Sequence, residues 1–247
     1  MENRVCDLLN ITYPIIQAPI GSATCPELAA AVSNAGGLGM LAVSWRDIDE
    51  TRKVIKQTQQ QTSHPFGVNL VLEWPQIDRL NVCLEEGVKI ISTFWGDPAA
   101  VVKRAHEAGA VVIHTVGSAR EAREAVDKGV DIIVGQGWEA GGHVYGEVAL
   151  HTLIPAIVDE IPDYPVIAAG GIADGRGIAS AFALGASGVW IGTRFLASRE
   201  ANVHRLYKQK ILEATEDDTA HTTLFDGCWP DAPHRVLKNS TYLDWMN

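Results

Sequence analysis

Apolar residues along this chain gather in short unbroken runs, and between the runs they recur every three or four positions. The runs, rich in Val, Ile and Ala, fall at residues 14–18, 38–41, 66–70, 90–93, 111–115, 132–135, 166–169 and 188–191. Continuous rather than alternating hydrophobicity predicts strands covered on both faces. The segments between them predict amphipathic helices over residues 26–35, 47–60, 76–86, 98–108, 119–128, 153–160, 176–184 and 201–214. Several of these helices run into glycine just before the next apolar run, at Gly36, Gly87, Gly109, Gly129 and Gly185. Glycine is the favoured left-handed helix stop, so its recurrence there marks a repeated helix-to-strand joint. Strands and helices alternating in this way predict a parallel α/β protein, and the count favours a closed (β/α)₈ TIM barrel. An open, doubly wound sheet is the competing architecture, but the pattern offers no candidate edge strand. No linker or low-complexity stretch divides residues 1–247, so one domain is expected. Residues 215–247 change character: Glu216 to Asp218 are acidic, and Pro230 and Pro233 interrupt any helix. That tail is expected to wrap the barrel as a short C-terminal extension.

Composition narrows the function classes. The 247 residues are 47% hydrophobic and 20% charged, an ordinary balance for a sizeable core. Twenty Lys and Arg against thirty Asp and Glu give a net charge of −10, with no basic cluster. A nucleic-acid groove or an anionic membrane surface needs a concentrated positive field, so neither partner is expected. The N-terminus lacks the basic and apolar regions of a secretory signal, and no uncharged apolar run is long enough to span a bilayer. Cys6, Cys25, Cys83 and Cys228 are scattered, without a Cys-x-x-Cys pair, as suits a reducing compartment. A cytoplasmic protein is the expectation, and the sequence leaves a homodimer open.

In a barrel, chemistry gathers at the C-terminal ends of the strands. After the sixth run comes a loop with Gly137, Gly141 and Gly142, followed at once by His143. Glycines let the backbone approach a ligand, and one histidine placed there is positioned as a base. A surface turn with a solvated His143 is the competing reading. The seventh and eighth runs end in Gly170–Gly171 and in Gly192–Thr193. Glycines at these two ends expose N–H groups where barrels bind phosphate, and the Thr193 hydroxyl adds a donor. No dinucleotide-binding fingerprint or P-loop occurs. His143 and His151 lack a metal-ligand spacing, so no metal is expected. The other histidines, His114, His221 and His234 among them, are read as structural or solvated. Trp95, Trp138 and Tyr145 are read either as lining a substrate cavity or as packing residues.

With these residues in view, the chain resembles the nitronate monooxygenase family, FMN-dependent barrel enzymes formerly called 2-nitropropane dioxygenases. The resemblance rests on residues 16–21 (IQAPIG), 29–39 (AAAVSNAGGLG), 66–70 (FGVNL), 137–143 (GWEAGGH), 169–174 (AGGIAD) and 192–195 (GTRF). It implies that Gly170, Gly171, Gly192 and Thr193 hold the FMN phosphate. It further implies that Gln136, Gly141 and Gly142 line the ribityl chain and that Ala18, Ile20 and Asn69 approach the isoalloxazine. His143 matches the family's active-site histidine, which takes the proton α to a nitro group while FMN accepts electrons and passes them to O2. The expected activity is oxidation of alkyl nitronates, with nitroalkanes as related substrates. Two departures stand out: His114 is followed by Thr115 where many relatives carry Lys, and many relatives continue well beyond residue 239. The same scaffold also serves NADH-dependent flavin reductases, of the enoyl-acyl-carrier-protein and quinone types, and a non-catalytic FMN-binding protein is a further alternative.

Overall fold

In a computed structural model that describes residues 3–225, 227 and 229–246, eight parallel strands form a nearly closed barrel with helices between them. The barrel strands are β1 (Ile15–Gln17), β2 (Gly39–Ala42), β3 (Phe66–Val71), β4 (Ile90–Phe94), β5 (Val111–Val116), β6 (Ile132–Gln136), β7 (Val166–Ala169) and β8 (Gly188–Ile191). Each pairs in parallel with its neighbour in chain order, and β8 returns to β1 through Ile15↔Val189 and Gln17↔Ile191. The β1–β2 seam is the thinnest: one bridge, Ile16↔Leu38, closes it, and the Gln17 side chain reinforces it by accepting from the Met40 N–H at 3.0 Å. The alternating architecture is therefore a TIM barrel, as the pattern predicts.

Alternation along each strand divides the core in two. Met40, Ile90, Ile113, Ile132, Val134, Ile167 and Trp190 point inward and pack on one another. Val68, Leu70, Ile91, Val112, Ile133, Val166 and Val189 point outward beneath the helices. Helix Pro26–Asn34 comes so close to β2 that a side chain on Gly39 would place its Cβ 1.9 Å from the Ala29 carbonyl oxygen. Only glycine fits there, which explains the glycine at the start of an otherwise apolar strand.

Three features depart from the expected pattern. A short helix, Arg4–Leu9, precedes β1 and drives Val5 and Leu9 into the inner core. Asn3 starts it: its side chain accepts from the Val5 and Cys6 N–H groups and donates to the Ser187 carbonyl just before β8, so the helix plugs the N-terminal end. Six residues are too few for a clear period, and the helix escapes pattern reading. The helix expected over 201–214 is shorter, Arg205–Glu213, and has no buried residue, while an additional short helix, Thr193–Leu196, directly follows β8. Thirdly, the tail forms an antiparallel pair, Thr219–Thr222 with His234–Leu237, and the latter strand pairs with Gly142–His143. Cys6, Cys25 and Cys83 are free thiols, and Cys228 lies outside the described residues. No described helix is long and apolar enough to cross a membrane.

Candidate functional site

The C-terminal mouth of the barrel gathers the predicted residues into two adjoining regions. The first is made largely of backbone. Gly170 and Gly171 follow β7 with φ of 129° and 64°, a region that side chains avoid. A Cβ on Gly170 would lie 3.4 Å from Ala140, and one on Gly171 would lie 3.4 Å from Glu139 Cγ. The loops after β6 and β7 therefore face each other across these glycines. Gly141 stands against the next loop, since a Cβ there would fall 2.7 Å from Thr193 Oγ1. Gly192 in turn faces β1, where an added Cβ would meet Ala18 Cβ at 3.6 Å and Ile20 Cδ1 at 3.9 Å. Gly141, Gly170, Gly171, Gly192, Thr193, Ala18 and Ile20 thus come together around one concavity. Short helix Thr193–Leu196 starts there with its first N–H groups free of intrahelical partners. The helix after β7, Gly175–Ala183, is already capped by the Asp174 carboxylate, which accepts from Arg176 N and Gly177 N.

Strand alternation decides which other residues face the mouth. Asn69, Thr115 and Gln136 share the inward faces of β3, β5 and β6 with Gly67, Ile113 and Val134 respectively. Asn69 Oδ1 accepts from Ser92 Oγ at 2.6 Å, and Gln136 Nε2 donates to the His143 carbonyl at 3.0 Å. His114 faces outward instead: it is buried behind the wall, and Thr93 Oγ1 lies 2.7 Å from its Nδ1. Burial, with a smaller contribution from the Lys128 charge, pulls it down to about 4.

The second region is aromatic and depends on the tail. His143 sits in the two-residue strand that pairs with His234 and Arg235. Its imidazole stacks on the Trp229 indole, with centroids 4.2 Å apart and planes inclined by 30°. Trp229 is 5% exposed and also packs on Trp74 at 5.2 Å and Trp95 at 4.6 Å. Trp95 holds a positive φ of 64°, an uncommon conformation for a bulky residue, and its ring contacts Tyr145 at 4.6 Å. Tyr145 donates to Glu121 Oε2 at 2.9 Å; burial first, then the Glu121 carboxylate, raises its pKa. Under this cover His143 is pulled from the ordinary histidine value of 6.5 to about 4, by burial first and then by His234. It is neutral at pH 7. Trp95 and Tyr145 thus belong to the mouth, whereas Trp138 lies beside it, 41% exposed, with the Arg235 guanidinium 4.4 Å from its ring centroid.

Sequence reasoning missed Trp229, His234 and Arg235. The register of the tail strand brings them to the loop after β6, about ninety residues away in sequence, and no local period announces that pairing. No cluster of His, Cys, Asp and Glu suited to a metal occurs among the described residues.

Comparisons with known proteins identify the family. A family model described as nitronate monooxygenase matches residues 2–78 and 73–244. A dehydrogenase of Mycobacterium tuberculosis named for (3aS,4S,5R,7aS)-5-hydroxy-7a-methyl-1-oxo-octahydro-1H-indene-4-carboxyl-CoA is 40% identical over 241 residues, covering 96% of this chain and 66% of that protein. The chain thus spans about two thirds of that relative's length. A probable nitronate monooxygenase of Bacillus subtilis is 39% identical over 269 residues, covering 91% of this chain and 77% of that protein. The solved structure of FabK from Thermotoga maritima superposes with a TM-score of 0.92 at 42% identity, covering 99% of this chain and 77% of that one.

Proposed function

Because the chain belongs to the nitronate monooxygenase family, a family of flavin-dependent oxidoreductases, we propose that it binds FMN across the barrel mouth and oxidises alkyl nitronates with O2. The observation that carries the reading is the convergence of four loops on one glycine-lined concavity directly beside His143. The concavity fits a terminal phosphate: Gly170 and Gly171 turn left-handed at its rim, and a Cβ on Gly141 would crowd the Thr193 hydroxyl. Gly170, Gly171, Gly192 and Thr193 are assigned to the phosphate, and Gln136, Gly141 and Gly142 to the ribityl chain. Ala18, Ile20 and Asn69 are assigned to the isoalloxazine. Bound there, FMN supplies two-electron acceptance from the substrate carbon and onward transfer to O2.

The protein's own residues supply position and proton handling. Gln136 fixes the His143 backbone through its carbonyl, and Trp229 fixes the ring by stacking. His143, neutral at pH 7, is free to accept a proton, but a base pulled to about 4 is weak. Preformed nitronates, which need no deprotonation, are therefore better substrates than neutral nitroalkanes. Thr115 offers no charge at the inward position where many relatives carry Lys, so less stabilisation of an anionic partner is expected from β5.

Steady-state assays of the FMN-loaded protein test the assignment, with propionate 3-nitronate, NADH plus a quinone, and NADH plus an enoyl thioester run in parallel. Oxygen consumption with the nitronate is the expected result. NADH oxidation without nitronate turnover would reassign the protein to the flavin reductases, and flavin binding without any turnover to a non-catalytic role.

A further inference from the structure

Behind the barrel wall lies a second cavity, of about 240 Å³, that the proposed reaction does not use. It opens between β5, the helix Ala119–Asp127 and the loop after β4. Glu121, Glu124, Ala125 and the helix cap Lys128 recur at helical spacing and put one helix face towards it. His114 reaches it from the outward face of β5. Trp95 and Tyr145 line both this cavity and the mouth.

Two acceptors in this cavity are left over from the protein's own bonding. Thr93 Oγ1 donates to the Ile113 carbonyl at 3.3 Å and lies 2.7 Å from His114 Nδ1. With its one proton so placed, the hydroxyl accepts from Nδ1–H, and Nε2 keeps its lone pair. His114 is only 6% exposed, and no described residue bonds that Nε2. Glu121 Oε2 is already taken, accepting from Gly117 N at 2.8 Å and from the Tyr145 hydroxyl at 2.9 Å. No described residue donates to Glu121 Oε1. At the rim, Glu124 is held by Arg120 at 2.6 Å and Lys128 by Asp97 at 3.2 Å.

These groups select the ligand. Two unused acceptors call for a donor, and beside a carboxylate a charged donor bonds about twice as strongly as a neutral one. An anion would meet Glu121 and Glu124. The cavity is smaller than the roughly 300–1,000 Å³ of sites for drug-sized ligands, which suits one ring on a short arm. Trp95 offers a cation an aromatic face. We propose that this cavity binds a small organic primary ammonium, its N–H groups donating to Glu121 Oε1 and His114 Nε2 and its hydrocarbon lying against Trp95 and Ala125. The site is outside the mouth and stands apart from the reading of the function.

The test is titration of the whole ¹⁵N-histidine-labelled chain with benzylamine, a cation at neutral pH, and with benzyl alcohol, the same ring with a neutral donor. Benzylamine is expected to move the His114 Nε2 resonance saturably, and benzyl alcohol to bind at least about tenfold more weakly. Glu121→Gln, shown by circular dichroism to be folded, should weaken benzylamine by about 10- to 100-fold, the range for a charged hydrogen bond, and benzyl alcohol little. Lys128→Ala changes only the rim and should act in the opposite sense. Removing a like charge should tighten benzylamine by about 2- to 5-fold and leave benzyl alcohol unchanged. Equal affinities for amine and alcohol overturn the proposal, as does a response at His143 with none at His114. So does unchanged benzylamine binding in folded Glu121→Gln, or a Lys128→Ala variant that does not tighten it.

Discussion

The glycine concavity and the aromatic cover adjoin at one end of the barrel, yet they are built by opposite means. The concavity is made largely of backbone from four strand-to-helix loops, after β1, β6, β7 and β8, and its shape is set by left-handed glycines and by the absence of Cβ atoms. The cover is side chain: Trp229, which arrives from the tail, stacks on His143, Trp74 and Trp95 pack on Trp229, and Tyr145 packs on Trp95. A backbone site tolerates change in every side chain except at the positions that must have none. A side-chain site depends on the tail staying docked. Binding and chemistry are thus separable by mutation.

The largest expected effect falls on the cover. Trp229→Ala removes a nearly buried indole, a truncation that typically costs about 3–5 kcal/mol. Chemical denaturation should show that loss. NMR titration should show His143 moving from about 4 back towards 6.5 as water reaches it. A stable variant with His143 still near 4 would break the link between tail and histidine. FMN affinity, by contrast, should change little.

The concavity gives the converse. Gly171→Val forces a β-branched residue to a φ of 64°, where even an ordinary side chain costs roughly 1–2 kcal/mol. FMN affinity should fall by about tenfold while the Trp229–His143 stack persists. Unchanged affinity in a folded variant would place the phosphate elsewhere.

A third expectation concerns pH. His114 and His143 are both pulled below 6.5, to about 4, mainly by burial. An unfolded chain therefore binds more protons than the folded one across that interval. The stability these neutral rings contribute is fully present above pH 6.5 and is lost as pH falls towards 4. Thermal midpoints taken across that window should drop on acidification, and the drop should shrink in His143→Gln. A flat profile would mean that neither ring is sheltered.

The same contrast explains what was legible in the sequence. All eight strands and the concavity were readable because each is local: an apolar run covered on both faces, then glycines at its end. His143 was readable for the same reason, lying two residues beyond Gly141. The cover was not. Trp229 and His234 lie in a stretch with two prolines and no period, and their placement depends on a strand of four residues finding a strand of two. Histidines read as structural divided in the fold: His114 is buried behind the wall, whereas His234 faces the mouth. The helix Arg4–Leu9 was missed because its meaning lies in the hole it fills rather than in its own sequence.

The central claim is that His143, held neutral beneath the aromatic cover, is the group that handles the substrate proton. The most direct measurement is the turnover of a nitroalkane and of its preformed nitronate by the FMN-loaded wild-type protein and by His143→Ala. The nitronate has already lost the α-proton and the nitroalkane has not. The account predicts that nitroalkane turnover falls by about 10²–10⁴-fold, the usual contribution of a placed base, while nitronate turnover falls far less and FMN content holds. Equal losses on both substrates, or no loss on either, would contradict it.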